Sequence, residues 1–185
     1  MFDGIGQDDL IVAFFPCIYF ECFSMMAFSW NCRNYRKRTK PQAIKEIIKR
    51  AKNRYVFYDL LLKFVYVIEE RGLRMVFENP WSMQHYLKQG NFVKNPDVID
   101  TDRTRRGDVF VKPTAYWFFG CEPANGFTYQ PREKSNKDII HCKKGIKAGI
   151  CSEERSMISP DYARNWICDF ILEKNQPNIC KTLFD

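Results

Sequence analysis

The pattern that most constrains this chain is a short apolar run, a long stretch of helical periodicity and a second short apolar run. Leu10–Phe15 follows two aspartates and stops at Pro16, which suits a strand buried on both faces, as in a parallel sheet. From Gln42 to Arg71, the residues Ile44, Ile47, Ile48, Ala51, Tyr55, Tyr58, Leu62, Val65 and Ile68 recur three or four apart, predicting one long amphipathic helix. Pro41 suits its first turn and Gly72 the position just past its end. Leu73–Phe77 is a second strand candidate, closed by Glu78-Asn79-Pro80. A crossover of that length favours parallel pairing in a right-handed unit, so the expected fold class is α/β, with a mostly parallel sheet and flanking helices.

The rest of the chain fills in around this unit. The basic cluster Arg33–Lys40 reads as a solvated loop, and Ser82 is placed to cap a short helix through Leu87. Asn91–Pro113 reads as a basic loop, Ala115–Phe119 as an aromatic third strand belonging to the core, and Ser159–Glu173 as a closing helix with a capping serine and a proline after it. A length of 185 residues with 45% hydrophobic content fits one domain, 1–185, in which 120–150 forms a long loop region.

Charge and cysteine usage narrow the setting. A formal charge of +7 points to a polyanionic partner, and to nucleic acid over an acidic small molecule. Eight irregularly spaced cysteines in an aromatic-rich chain suit reduced thiols in the cytoplasm better than a disulfide scaffold. No basic leader precedes an apolar run with a cleavage site, so no secretory signal is expected. Leu10–Phe28 is apolar but contains Pro16 and Glu21, so no membrane partner is expected. Cys121, His141, Cys142 and Cys151 lack the paired spacing of zinc knuckles, and no metal is expected.

In an open parallel sheet, catalytic groups collect beyond the carboxyl ends of the strands. Two such ends carry useful chemistry: Pro16-Cys17 after the first strand and Glu78-Asn79-Pro80 after the second. Downstream comes Asp102-Arg103-Thr104-Arg105-Arg106. A Pro-Cys, a Glu-Asn and an Arg-x-Arg in that order resemble the DNA cytosine-5 methyltransferases, and the text around them looks like compact phage-type or bacterial versions of that family. The chain has Phe15-Pro16-Cys17 where the family has Pro-Pro-Cys, Pro80 where it has Val, and Thr101 where it has Gln.

The resemblance implies a partial Rossmann-like methyltransferase fold and a reaction. Cys17 would add to C6 of cytosine, Glu78 would hydrogen-bond N3, and C5 would become nucleophilic toward the methyl group of S-adenosylmethionine. Arg105 would assist catalysis, with Arg103, Arg105 and Arg106 contacting DNA. For the cofactor only Pro16 is indicated. Gly4 and Gly6 have no strand before them, so the segment that grips the methyl donor is expected to be missing from the front. The alternative is a DNA-binding module without that donor site. Either way, a sheet lacking its first strands leaves an edge to cover, by rearranged packing of Met1–Leu10, by a second copy or by a partner chain.

Overall fold

The structure, a computed structural model, describes residues 2–20, 28–81, 86–89, 92–131 and 157–172. The chain divides into two compact units, Met1–Ile99 with Thr114–Glu122, and Asp100–Pro113 with Pro123–Asp185.

The first unit is built on the expected strand, helix and strand. Helix α1 runs over Lys40–Arg71. Thr39 caps it by accepting from Gln42 N while the Gln42 side chain accepts from Thr39 N, and Pro41 occupies the first turn. It ends at Gly72, whose φ of 59° is left-handed. Strand β1 (Leu10–Phe14) pairs in parallel with β2 (Arg74–Pro80), and β2 pairs antiparallel with the strand over Thr114–Phe119. Numbering Val98–Asp100 as β3 and Thr114–Phe119 as β4, the sheet order is β1-β2-β4-β3. The α/β class holds, with a small mixed sheet in place of the mostly parallel one expected.

Packing explains which expectations held. Leu61 and Ile68 of α1 are fully buried against Met75 and Phe77 of β2 and Ala115, Trp117 and Phe119 of β4. Burying such a side chain stabilises by about 1.5–3 kcal/mol. The Phe77 and Trp117 rings stack with centroids 5.0 Å apart. Every residue of β4 is buried, so its aromatic run is core, as its position suggested. Two expectations need correction. Strand β1 is not buried on both faces: Val12 is 48% and Phe14 60% exposed, because among the described residues β1 is the sheet's edge and pairs with β2 alone. On α1, the expected stripe fails in the first half, where Ile44, Ile48 and Tyr55 are exposed, because the sheet core meets the helix only from Phe57 onward.

Before β1, Phe2 packs edge-on against Phe64 of α1, and Arg71 donates to the Phe2 and Ile5 carbonyls. This segment therefore packs on the helix. Among the described residues no helix is long and apolar enough to cross a membrane. In the Leu10–Phe28 stretch, Leu10–Phe14 is strand and 21–27 lie outside the described residues. The expected Ser82 helix falls largely outside them, and the described Tyr86–Gln89 form a 3-10 turn.

In the second unit, helix α2 (Pro160–Phe170) starts where expected, with Ser159 accepting from Tyr162 N at 3.2 Å. Its buried Asp169 accepts from Thr128 N at 2.9 Å and Thr128 Oγ at 2.7 Å, and ion-pairs with Arg106. The described part of the 120–150 region is thus tied to α2, while 132–150 lie outside. Gly126 sets the approach. Its N–H donates to Asp169 O at 2.8 Å, and a Cβ there would fall 2.4 Å from Asp169 Cα. Gly126→Ala is expected to destabilise this unit by about 1–3 kcal/mol. Urea unfolding followed by tryptophan fluorescence checks this, and an unchanged midpoint would rule the contact out.

Candidate active site

The parallel register fixes the corner where the two motifs meet. Phe14 at the end of β1 stands opposite Glu78 of β2. Pro16 and Cys17 follow at once, so Cys17 leaves the sheet three residues beyond Glu78's partner, at the carboxyl end of the parallel pair. Cys17 is exposed and begins a 3-10 turn over Cys17–Tyr19. Asn79 is fully buried, and its Nδ2 donates to Phe15 O at 3.3 Å, which pins the backbone just before Pro16-Cys17. Phe15 sits edge-on to Phe77 at 5.4 Å and to Phe64 at 5.7 Å.

Helix α1 seats the far side of the same turn. Asn53 Nδ2 donates to Tyr19 Oη at 3.3 Å, Arg54 Nε donates to Tyr19 O at 2.6 Å, and the Tyr19 and Phe57 rings stack at 4.8 Å. The Arg54 guanidinium lies over the Phe28 ring at 3.9 Å and the Tyr86 ring at 4.9 Å, and the residue is buried. Reasoning along the sequence missed Asn53 and Arg54 as positioning residues.

Glu78 is placed differently from the expectation. Strand β2 does not close at Phe77 but runs to Pro80, because Glu78, Asn79 and Pro80 pair with Tyr116, Ala115 and Thr114. Glu78 is therefore inside the strand and 8% exposed, not on a loop beyond it. Proline is tolerated as the last residue of the strand.

The arginine run belongs to the second unit and divides sharply. Arg103 is 1% exposed, ion-pairs with Asp108 and covers the Tyr162 ring at 4.4 Å. Arg106 pairs with Asp100 at 3.1 Å and with Asp169. Asp100 also accepts from Tyr162 Oη at 3.2 Å. These two guanidinium groups are committed to ion pairs within the unit. Arg105 alone keeps an exposed side chain, 70%, with Asp102 at 4.0 Å.

The two glycines near the front do not form a nucleotide cradle: a Cβ at Gly4 would meet nothing within 4 Å, and one at Gly6 only Asp9 Oδ2 at 3.9 Å. A glycine loop that cradles a nucleotide needs close backbone approach. Pro16 is exposed, and no described contact links it to a cradle. No metal-ligating cluster occurs among the described residues, and His141, Cys142 and Cys151 lie outside them.

At the opposite end of the sheet, Val65, Glu69, Lys94 and Phe118–Glu122 line an open cavity of about 620 Å³. Burial pushes the Cys121 thiol there above its ordinary pKa, more than the nearby Arg74 lowers it. Cys121 stays protonated at neutral pH and is a poor nucleophile. Cys32 and Cys168 are buried. Iodoacetamide at neutral pH is accordingly expected to label Cys17 before Cys32, Cys121 and Cys168, as read by peptide mass spectrometry. Earlier labelling of Cys121 would contradict the site. Compared with known proteins, the chain matches no family model, no curated protein and no solved structure.

Proposed function

We propose that this chain is the catalytic half of a DNA cytosine-5 methyltransferase, with β1 and β2 as the reacting pair of strands of a partial Rossmann-like sheet. The observation that carries the reading is the register: Phe14 stands opposite Glu78, and an exposed cysteine follows Phe14 by three residues. The Cys17 thiolate forms a bond to C6 of a cytosine taken out of the stack, and the C5–C6 π electrons move to C5. Glu78 hydrogen-bonds N3, which lets the ring accept the electron pair. Asn79, by holding Phe15 O, and Asn53 and Arg54, by holding Tyr19, keep the nucleophile's turn in place. The reaction proposed for this chain alone stops at the nucleophilic C5.

The second reading, a DNA-binding module that works with a donor-binding partner, is favoured by the turns at Gly4 and Gly6, which form no cradle. Duplex DNA carrying 2-pyrimidinone in place of one cytosine separates the two. That ring lacks the 4-amino group, adds thiols more readily and needs no methyl donor for capture. The catalytic reading expects a covalent adduct on the Cys17 peptide, absent in Cys17→Ser and formed at least about 100-fold more slowly in Glu78→Gln. Binding without an adduct would leave only the module.

A further inference from the structure

Charge is concentrated in one stretch of this chain. From Arg33 to Arg54 there are ten basic residues against one acid, Glu46. That is a net +9, where the whole 185-residue chain carries +7, so the other 163 residues are net −2. Whatever polyanion this protein meets, this stretch carries the attraction.

The stretch also has a place in the fold. Helix α1, with 32 residues, is about 48 Å long, while β2, with 7, spans about 23 Å. The sheet core packs on α1 only from Phe57 onward, and the turn holding Cys17 is seated by Asn53, Arg54 and Phe57. Residues Lys40–Lys52 therefore extend roughly 20 Å past the carboxyl edge of the sheet. They are held by a separate small cluster in which Ala43 and Ile47 meet Cys32 and Tyr35. On this arm Lys45, Lys49 and Lys52 are exposed. Their spacing puts them within about 60° of one another around the helix and along about 10 Å of its axis. Arg38 lines a groove with Lys45 and Lys49, and Glu46, the one acid, lies beside Arg38 at 3.5 Å and Arg50 at 3.9 Å.

We propose that the first half of α1, with the basic segment leading into it, is an arm that grips the phosphate backbone of duplex DNA beside the Cys17 turn. The choice of DNA rests on the function proposed above, and the location rests on charge and geometry alone. Phosphates follow one another every 3.4 Å of axis per strand, so a 10 Å stripe of ammonium groups spans about three of them. A basic helix can also lie on an anionic membrane, but that mode needs a broad apolar face. Here Ala43 and Ile47 are packed against Cys32 and Tyr35, and the exposed Ile44, Ile48 and Tyr55 lie within about 40° of one another around the helix, a narrow stripe and not a broad face.

The test is fluorescence anisotropy with a labelled duplex of about 20 base pairs over a salt series, using the full chain. Changing Lys45, Lys49 and Lys52 together to Gln should weaken binding at least about tenfold and lower the slope of log K against log salt by about 2.7, at 0.9 per lost phosphate contact. Changing all three to Arg should restore both. Circular dichroism confirms that α1 survives each change. The arm is overturned if the Gln variant binds with unchanged affinity and slope, if the unaltered chain binds no duplex, or if it binds phosphatidylserine vesicles in preference to duplex. Duplex binding through these lysines without an adduct at Cys17 upholds the arm and removes the chemistry. An adduct that is indifferent to the lysines does the reverse.

Discussion

Arg103→Met is expected to cost about 3–5 kcal/mol, a large part of the roughly 5–15 kcal/mol that holds a folded domain together. The cost comes from what remains. Asp108 is fully buried, and its Oδ1 already accepts from Val109 N at 2.6 Å and Phe110 N at 3.3 Å. Removing its cation leaves a charged carboxylate with no water to solvate it. The account therefore predicts non-additivity. Arg103→Met with Asp108→Leu should be less damaging than Arg103→Met alone, because the pair is replaced by apolar groups and no buried charge is orphaned. Urea midpoints of the two single variants and the double variant measure the coupling. Arg105→Ala, at an exposed position, should move the midpoint little. Equal effects of Arg103 and Arg105 would mean that Arg103 is not buried in its pair.

Gly120→Ala should cost about 3 kcal/mol, for reasons of backbone and space together. Gly120 closes β4 with φ of 65°, and a Cβ there would lie 2.0 Å from the Leu73 carbonyl oxygen. Leu73 joins α1 to β2 and is itself buried, so neither strand can yield without disturbing the Met75 to Phe119 pairing. Gly4→Ala is the matched control. Its φ is 87°, yet nothing stands within 4 Å of the added carbon, so only the conformational cost of about 1 kcal/mol remains. Thermal unfolding of the two variants isolates the clash, and equal shifts would contradict it.

Features written into neighbouring residues were legible in the sequence. Pro41 and Gly72 bound α1 through backbone preferences, and Ser159 with Pro160 begins α2 through a local cap; the Thr39 capping box came only with the structure. Strands β1 and β4 announced themselves as apolar runs. What could not be read depends on partners distant in the chain. Strand β2 gains three residues because Thr114–Tyr116 pair with them, which takes Glu78 from a loop into a strand. Strand β1 is exposed because, among the described residues, it pairs with β2 alone, a property no run of five residues encodes. Arg103 stands in one basic run with Arg105 and Arg106, and its burial depends on Tyr162, 59 positions later, whose ring it covers. The order Cys17, Glu78, Arg105 was visible, whereas the seating of Cys17 by Asn79, Asn53 and Arg54 required the fold.

Loss of tritium from C5 of cytosine in duplex DNA to the solvent, with no methyl donor present, tests the thiol addition most directly. Addition of the Cys17 thiolate to C6 lets C5 take a proton from water, and departure of the triton from C5 with elimination of the thiolate restores the ring. Release that depends on both Cys17 and Glu78 is the predicted result. Release that persists in Cys17→Ser, or none from the unaltered chain on DNA it demonstrably binds, would contradict the account.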